Sequence, residues 1–388
     1  MKKWYLTLVA AVFAVGIGTA VPVYAQEAQV EEQVEQEAQV EEQIAEEVQR
    51  PQPQQIRFDR AMQMALANSS ALVDLEDRLE NLTEQRDALR NLLELRRFAG
   101  TITPPEEAAL LRQIADLNAV IHTMQYGRTM TRVGVEMQLL AILVTIRNLE
   151  LDIYLAEANI IQYENNVNIA QLRLNSGLGS ESDLRTAEMN LQQREAGLST
   201  QRVSLETEWN SLRRLLQLSM DHYFYIDYEM IINPLPTDLN QHIRDITTRQ
   251  RQMPPNLRQR EVTLNRARAV LNDTVNQDTP ARTQAQRAHD QAVRERDELI
   301  RTLETGIRNQ YNTIRMLQQT YESLQIGLAQ AVERRDVAQL NYQAGLVTPF
   351  VIESAELGIL AAEIAIQKNL HTQWLSQFRF DNPFLLAS

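Results

Sequence analysis

The chain has 388 residues, but it contains only 12 glycines, 12 prolines and 8 phenylalanines, and it has no cysteine. This shortage of turn and strand residues favours an all-helical fold with few turns. The lack of cysteine excludes disulfide frameworks, thiolate metal sites and cysteine nucleophiles. The formal net charge of −13 argues against a nucleic-acid partner, because phosphate binding requires a basic surface.

Residues 1–25 are predicted to be a secretory signal peptide. Two lysines precede an apolar run from Leu6 to Ala20, and small residues lead up to a cleavage position at Ala25. An uncleaved N-terminal anchor is the alternative, but glycines and a proline interrupt the run, which is short for a membrane span. The mature protein is therefore expected outside the cytoplasm.

Residues 26–55 form an acidic segment rich in glutamine and glutamate. It contains nine glutamates and repeats one heptapeptide, Glu-Ala-Gln-Val-Glu-Glu-Gln, beginning at Glu27 and at Glu37. Such a composition predicts a solvated, disordered tether. A calcium site is not expected, because the segment offers no Asp, Asn or Gly to build a ligand-bearing turn.

The remaining sequence contains an internal repeat. Placing Thr145 on Thr313, with no gap on either side, gives 12 identities between 145–191 and 313–359. We call this pairing of sequence positions the repeat alignment. We interpret 56–219 and 243–380 as two copies of a helical-hairpin repeat. The first copy is joined to the second by a crossover, and the chain ends in a C-terminal tail; these segments cover 220–242 and 381–388.

Within each copy, apolar residues alternate at spacings of four and three, which is typical of a coiled coil. No strong helix breaker separates Pro105 from Asn175. The sequence therefore predicts one helix of about 70 residues, roughly 105 Å long. After a tight tip, the chain is expected to turn back into a second long helix that packs antiparallel to the first.

Each predicted hairpin ends in a glycine-marked tip. Gly177 and Gly345 follow the last seam residues, where a left-handed residue would close the helix. Ser180 with Asp183 predicts a capping box at the start of the returning helix, and Thr348 with Pro349 predicts a cap followed by a first-turn proline. The candidate contact residues at the two tips are Arg173, Gly177, Leu178, Ser180, Asp183, Gly345, Leu346, Thr348 and Pro349.

With these tips, the sequence resembles the TolC-type outer membrane efflux family over nearly all of 56–380. The best match is 172–178, Leu-Arg-Leu-Asn-Ser-Gly-Leu, followed by Ser180 and Asp183; the second tip matches more loosely, because Val351 stands where an acidic residue is common. The resemblance implies a homotrimer whose six hairpins form a hollow helical barrel. It further implies that the protein is exported across the inner membrane and works in an efflux or type I secretion system. The location implied is the cell envelope, either the outer membrane or the periplasm. The tips would meet a periplasmic adaptor and an inner-membrane pump.

The sequence departs from the family in one respect. The family inserts a pair of membrane-spanning strands into each half, and each strand requires about 9 to 11 residues of alternating character. The corresponding breaks, 98–105 and 276–281, are too short to hold such a pair. We therefore expect a member without the β-barrel strands, with little or no β structure.

Other patterns give weaker indications. The apolar run from Val133 to Ile146 is either a lipid-contacting belt or, as its glutamate and glutamine favour, a buried packing segment. The five histidines have no ligand spacing, so we expect no metal site. The sequence contains neither a phosphate-binding loop nor a nucleophile elbow, and we expect no cofactor and no enzymatic activity.

Three functions fit these patterns to different degrees. The preferred one is a passive, TolC-like conduit. A structural coiled-coil protein of the cell envelope, without transport activity, is the alternative. An adaptor subunit fits less well, because adaptors carry one helical hairpin between β-domains, whereas this chain predicts two hairpins.

Overall fold

The computed structural model describes residues 54–220, 224–274 and 279–387. The predicted signal peptide lies outside the described residues, as does the predicted acidic tether up to position 53. The boundaries proposed for these segments therefore stay predictions.

By its internal contacts the chain divides into two units. One comprises 1–55 with 223–225, and its described residues belong to two short strands. The other comprises 56–222 with 226–388 and contains every helix described below. The strands are β1 (Gln54–Arg57) and β2 (Phe224–Asp227), which pair in a two-stranded sheet. β2 falls within the predicted crossover.

The first repeat contains four helices. They are α1 (Phe58–Ala67), α2 (Ser70–Phe98), α3 (Pro104–Asn175) and α4 (Glu181–Leu216). The prediction of one long helix up to Asn175 is confirmed, since α3 has 72 residues and a length of about 108 Å at 1.5 Å per residue.

The second repeat contains four more helices and a short 3₁₀ turn. These are α5 (Leu239–Thr248), α6 (Pro255–Asp273), α7 (Thr279–Gln343), α8 (Pro349–Asp381) and the 3₁₀ helix Pro383–Leu386. In the repeat alignment, α7 and α8 match α3 and α4. The repeat seen in the sequence is thus a repeat of helices.

Packing follows the same duplication. α3 packs against α4 and α7 against α8, so that each pair forms an antiparallel hairpin; α2 lies on α3, and α6 lies on α7. The two repeats meet where α3 contacts both α6 and α8. The predicted all-α fold of duplicated antiparallel hairpins is confirmed for the described part of the chain.

The connection between α2 and α3 is short and well defined. Gly100 adopts a positive φ of 63°, and the Thr101 N–H donates to the Arg96 carbonyl at 3.1 Å, which closes α2. The N–H and hydroxyl of Thr103 both donate to the Glu106 carboxylate and start α3 with a capping box. Only 99–103 therefore separate the two helices. At the second break, 275–278 lie outside the described residues, and α7 has begun by Thr279.

The apolar run on α3 is a packing segment. Val135, Leu139, Leu140, Leu143, Val144 and Ile146 are all buried. This confirms the preferred interpretation over a lipid-contacting belt. Among the described residues, no helix combines the length and the apolar character that a membrane crossing requires.

A second apolar cluster lies where the crossover and the C-terminus meet the second hairpin. Its buried members are Ile243, Ile246, Ile307, Ile314 and Phe380, and Leu235, Leu239, Tyr311 and Leu386 pack around it. The residues predicted as a crossover and a tail therefore contribute to the core. α5 begins inside the predicted crossover, and α8 continues one residue past the predicted end of the repeat.

Candidate functional site: the two hairpin tips

The first tip closes through backbone hydrogen bonds at the end of α3. The Gly177 N–H donates to the Leu174 carbonyl at 3.0 Å, and the Leu178 N–H donates to the Arg173 carbonyl at 2.8 Å. Gly177 has a φ of 71°, a conformation that costs little only in glycine. The predicted left-handed glycine is confirmed, and the two bonds form a Schellman motif.

The second tip repeats this geometry at every equivalent position. The Gly345 N–H donates to the Tyr342 carbonyl at 2.9 Å, and the Leu346 N–H donates to the Asn341 carbonyl at 2.9 Å. Gly345 has a φ of 72°. Two turns from different halves of the chain thus share one backbone structure, although between 173–178 and 341–346 only the glycine and the leucine after it are identical.

The helix that leaves the first tip is capped by a reciprocal pair. The Asp183 N–H donates to Ser180 Oγ at 3.2 Å, while the N–H and hydroxyl of Ser180 donate to Asp183 Oδ2 at 3.0 and 2.8 Å. The predicted capping box is confirmed. The hydroxyl of Ser180, its N–H and the nearby Arg173 guanidinium lower the pKa of the Asp183 carboxyl below its usual value. Asp183 is therefore a stable negative charge beside the tip.

The helix that leaves the second tip is capped differently. Thr348 occupies the cap position and Pro349 the first helical position, as predicted, but the Thr348 side chain makes no capping hydrogen bond. Val351, which stands where Asp183 stands in the first tip, cannot return a bond to the cap. The expectation of a side-chain cap at Thr348 is therefore wrong. The threonine of a capping box is present, but the acidic residue three positions later, which would hold its hydroxyl in place, is absent.

Both tips expose large apolar side chains. Leu178 is 82% exposed and Leu346 is 73% exposed, and Leu172 and Leu340, which occupy equivalent positions before each turn, are also exposed. Exposed apolar side chains gain free energy when a partner buries them, so these leucines are the candidate contact residues of the tips. Arg173 and Asp183 add a charged pair to the first tip, whereas Asn341 and Val351 leave the second tip uncharged at these positions.

The structure brings the predicted residues together in two separate groups. Arg173, Gly177, Leu178, Ser180 and Asp183 surround the first turn, and Gly345, Leu346, Thr348 and Pro349 surround the second. The two hairpins approach each other below the tips, where Asn165 Nδ2 donates to Glu353 Oε2 at 3.4 Å.

Sequence reasoning missed a polar contact face between the two hairpins. Lys368 forms an ion pair with Asp152, and a hydrogen bond of 2.6 Å joins His371 Nδ1 and Asn148 Oδ1. Burial lowers the pKa of His371 to about 4, with help from the positive charges of Arg147 and Lys368. The one available signal was Lys368 itself, which is the only lysine beyond Lys2 and Lys3.

No protein-family model matches this sequence, and no curated protein matches it. Solved structures do. The chain is similar to the outer-membrane channel OprN, with a TM-score of 0.60 and 13% identity over 85% of this chain and 90% of that one. It is similar to the outer membrane protein VceC of Vibrio cholerae, with a TM-score of 0.57 and 14% identity over 84% of this chain and 95% of that one.

A third similar structure is the outer membrane channel CmeC of Campylobacter jejuni. Its TM-score is 0.60 at 12% identity, over 84% of this chain and 85% of that one. The chain therefore has the fold of the TolC-type outer-membrane channels. The resemblance carried by the tips and the repeat is confirmed at the level of the fold.

Proposed function

We propose that the protein is a TolC-like conduit of the cell envelope, working in an efflux or type I secretion system. Several copies, three by analogy with the family, surround a water-filled path with their hairpins. Transport is passive, since the driving energy comes from an inner-membrane pump, and the path opens when the tip hairpins move apart. The duct itself performs no chemistry. The proposed location is the outer membrane or the adjoining periplasm.

The observation that carries this proposal is the extent of the structural match together with the duplication. The similarity to channels extends over more than four fifths of this chain and of each channel chain reported above. A duplicated hairpin presents two equivalent tips from one chain, which is what a ring of hairpins requires. An envelope protein that served only as a spacer would not need two tips of the same backbone structure.

We assign the tips to docking on a periplasmic adaptor. The exposed Leu178 and Leu346 supply apolar contacts on rigid turns, and Arg173 and Asp183 supply charged contacts at the first tip only. This difference predicts that the partner meets two kinds of tip in alternation around the ring. A coiled-coil hairpin with an apolar end and a few charges fits such a surface.

The test is an export assay in the host cell. Deletion of the gene should raise intracellular accumulation of an exported dye several-fold, and the wild-type gene should reverse this. The double variant Leu178→Asp/Leu346→Asp should fold but fail to restore export, because a charge on each tip opposes apolar docking. Leu95→Asp, at an exposed leucine of α2 away from the tips, is the matched control and should restore export.

A different result would identify the structural alternative. If deletion changes cell shape or adhesion and leaves dye and peptide export at the wild-type level, the conduit proposal is wrong. If the double tip variant restores export fully, the protein is a conduit but the tips are not its docking surface.

A further inference from the structure

The two helices of the second hairpin leave a groove between them, next to the second tip. It has a volume of about 590 Å³ and extends along α7 from Ser323 to Ala338, which is about 22 Å at 1.5 Å per residue. On α8 it extends from Phe350 to Ala362. Pockets that bind small organic molecules have volumes of roughly 300 to 1,000 Å³. The groove is therefore large enough to hold a small molecule.

The first hairpin shows which side chains can fill such a groove. There the Arg194 guanidinium lies over the ring of Tyr163, with Cζ 5.1 Å from the ring centroid. In the repeat alignment, Tyr163 corresponds to Ala331 and Arg194 corresponds to Ala362. Both alanines line the groove of the second hairpin. Two methyl groups thus stand where the first hairpin has a stacked pair of large side chains.

Two glycines widen the same groove. Gly327 and Gly358 line it, at positions where the first hairpin has Asn159 and Asn190. Both glycines lie inside helices, where glycine is less stable than residues with a side chain. A Cβ at either position would meet no atom within 4 Å. Packing among the described residues does not explain these glycines, whereas the close approach of a bound molecule would.

The lining of the groove is mainly apolar and carries one charge. Phe350 and Val351 contribute large apolar side chains, and Arg334 is the only ionisable residue among the described residues that line it. The neighbouring Arg335 pairs with Asp336, whereas Arg334 takes part in none of the ion pairs found in the described part of the chain. A guanidinium beside an apolar surface suits a ligand that carries a carboxylate or a similar acidic group.

We propose that this groove binds an amphipathic organic anion. Its apolar body lies between α7 and α8 over Ala331 and Ala362, where burial of apolar surface supplies most of the affinity. Its acidic group pairs with Arg334 and fixes its direction. One site per chain is expected, because Asn166 of the first hairpin stands at the position of Arg334. The site is separate from the docking assigned to the tips and does not depend on transport.

Two kinds of molecule have this chemistry, acids with an acyl chain and acids with a fused aromatic body. Fluorescence titration of the purified protein tests them with cis-parinaric acid and with 1-anilinonaphthalene-8-sulfonate. At least one probe should bind saturably, with one tightly bound molecule per chain, and the tighter probe identifies the body that the groove accepts. If neither probe binds saturably, the proposed site is wrong, and a protein helix is the better candidate for the groove.

A variant that fills the groove tests where the probe binds. Ala331→Tyr/Ala362→Arg rebuilds the stacked pair of the first hairpin and should weaken binding at least ten-fold, because the new side chains occupy the space. The control, Ala329→Tyr/Gln367→Arg, introduces the same two side chains at exposed positions of α7 and α8 outside the lining. It should bind like the wild type. Equal binding by the filled variant and the wild type would overturn the proposed site.

The contact with Arg334 is tested by a variant that leaves the groove open. Arg334→Gln should weaken binding of the anionic probe about ten-fold. It should leave unchanged the binding of the uncharged counterpart, methyl parinarate or N-phenyl-1-naphthylamine. Arg335→Gln removes the neighbouring arginine and should affect neither probe. An equal loss for the charged and the uncharged probe, or no loss for either, would overturn the assignment of the acidic group to Arg334.

Discussion

Left-handed residues follow the ends of four of the helices, α2, α3, α4 and α7. Gly100, Gly177 and Gly345 all have positive φ, and each is followed by a backbone bond that closes the preceding helix. Glycine at the two tips could be predicted from sequence because it follows a periodic helix. Gln217, with a φ of 52° at the end of α4, could not be predicted, since a residue with a Cβ gives no local signal for this conformation.

Substitution of the tip glycines tests the role of this conformation. Gly177→Ala and Gly345→Ala should each destabilise the protein by about 1 kcal/mol, because alanine is strained at positive φ. Gly197→Ala should have the opposite effect and stabilise the protein by about 1 kcal/mol, since Gly197 lies inside α4 with open space at its Cβ. Urea unfolding monitored by circular dichroism measures all three. Equal effects at Gly177 and Gly197 would contradict the structural interpretation of the tip.

His371 should make stability depend on pH. In the unfolded chain it takes up a proton near pH 6.5, whereas in the folded protein burial and the neighbouring positive charges hold its pKa at about 4. Between these values only the unfolded state binds the proton, so stability is highest above pH 6.5 and falls as pH decreases toward 4. The loss attributable to this group is at most about 3 kcal/mol.

The control variant for this effect is His371→Gln, which keeps a donor for Asn148 but does not titrate. The stability difference between the wild type and this variant should shrink as pH is lowered from 7 to 4, measured by urea midpoints at each pH. His122→Gln, at an exposed position of α3, should retain the full wild-type slope. A constant difference between wild type and His371→Gln over this range would show that His371 is not held neutral.

At the scale of helices, the apolar periodicity of the sequence was sufficient to predict the long helices but not the short ones. α3 could be predicted nearly to the residue, because its apolar spacing is regular and Pro105 and Gly177 mark its limits. The break between α1 and α2 at Asn68 and Ser69 carries no glycine or proline and was not predictable. α5 and the C-terminal 3₁₀ turn are short, and they exist because tertiary packing buries Ile243, Phe384 and their neighbours.

The unequal caps of α4 and α8 lead to a test at the same scale. Val351→Asp should complete a capping box with Thr348, where the Val351 N–H already donates to the Thr348 carbonyl at 3.1 Å. The expected gain is about 0.5 to 1 kcal/mol, from the new hydrogen bonds and from a negative charge in the first turn. Val351→Leu is the control and should change stability little, since Val351 is exposed. A gain of equal size from leucine would exclude capping as the cause.

At the scale of the whole molecule, the duplication determined what could be inferred from sequence. The repeat alignment predicted two hairpins and two tips, and both are present. It did not predict which helices join the hairpins, because the polar residues of that interface, such as Lys368 and Asp152, are far apart in sequence and have no local signature. The tip residues were placed correctly on the turns, while their role in docking stays a proposal that the export assay addresses.

The assembly of this protein is the central claim, and cryo-electron microscopy of the protein purified from its cell envelope tests it most directly. We expect hollow particles in which three copies arrange six hairpins around a central path. Particles that contain a single copy, or a solid helical bundle without a path through it, would contradict the account.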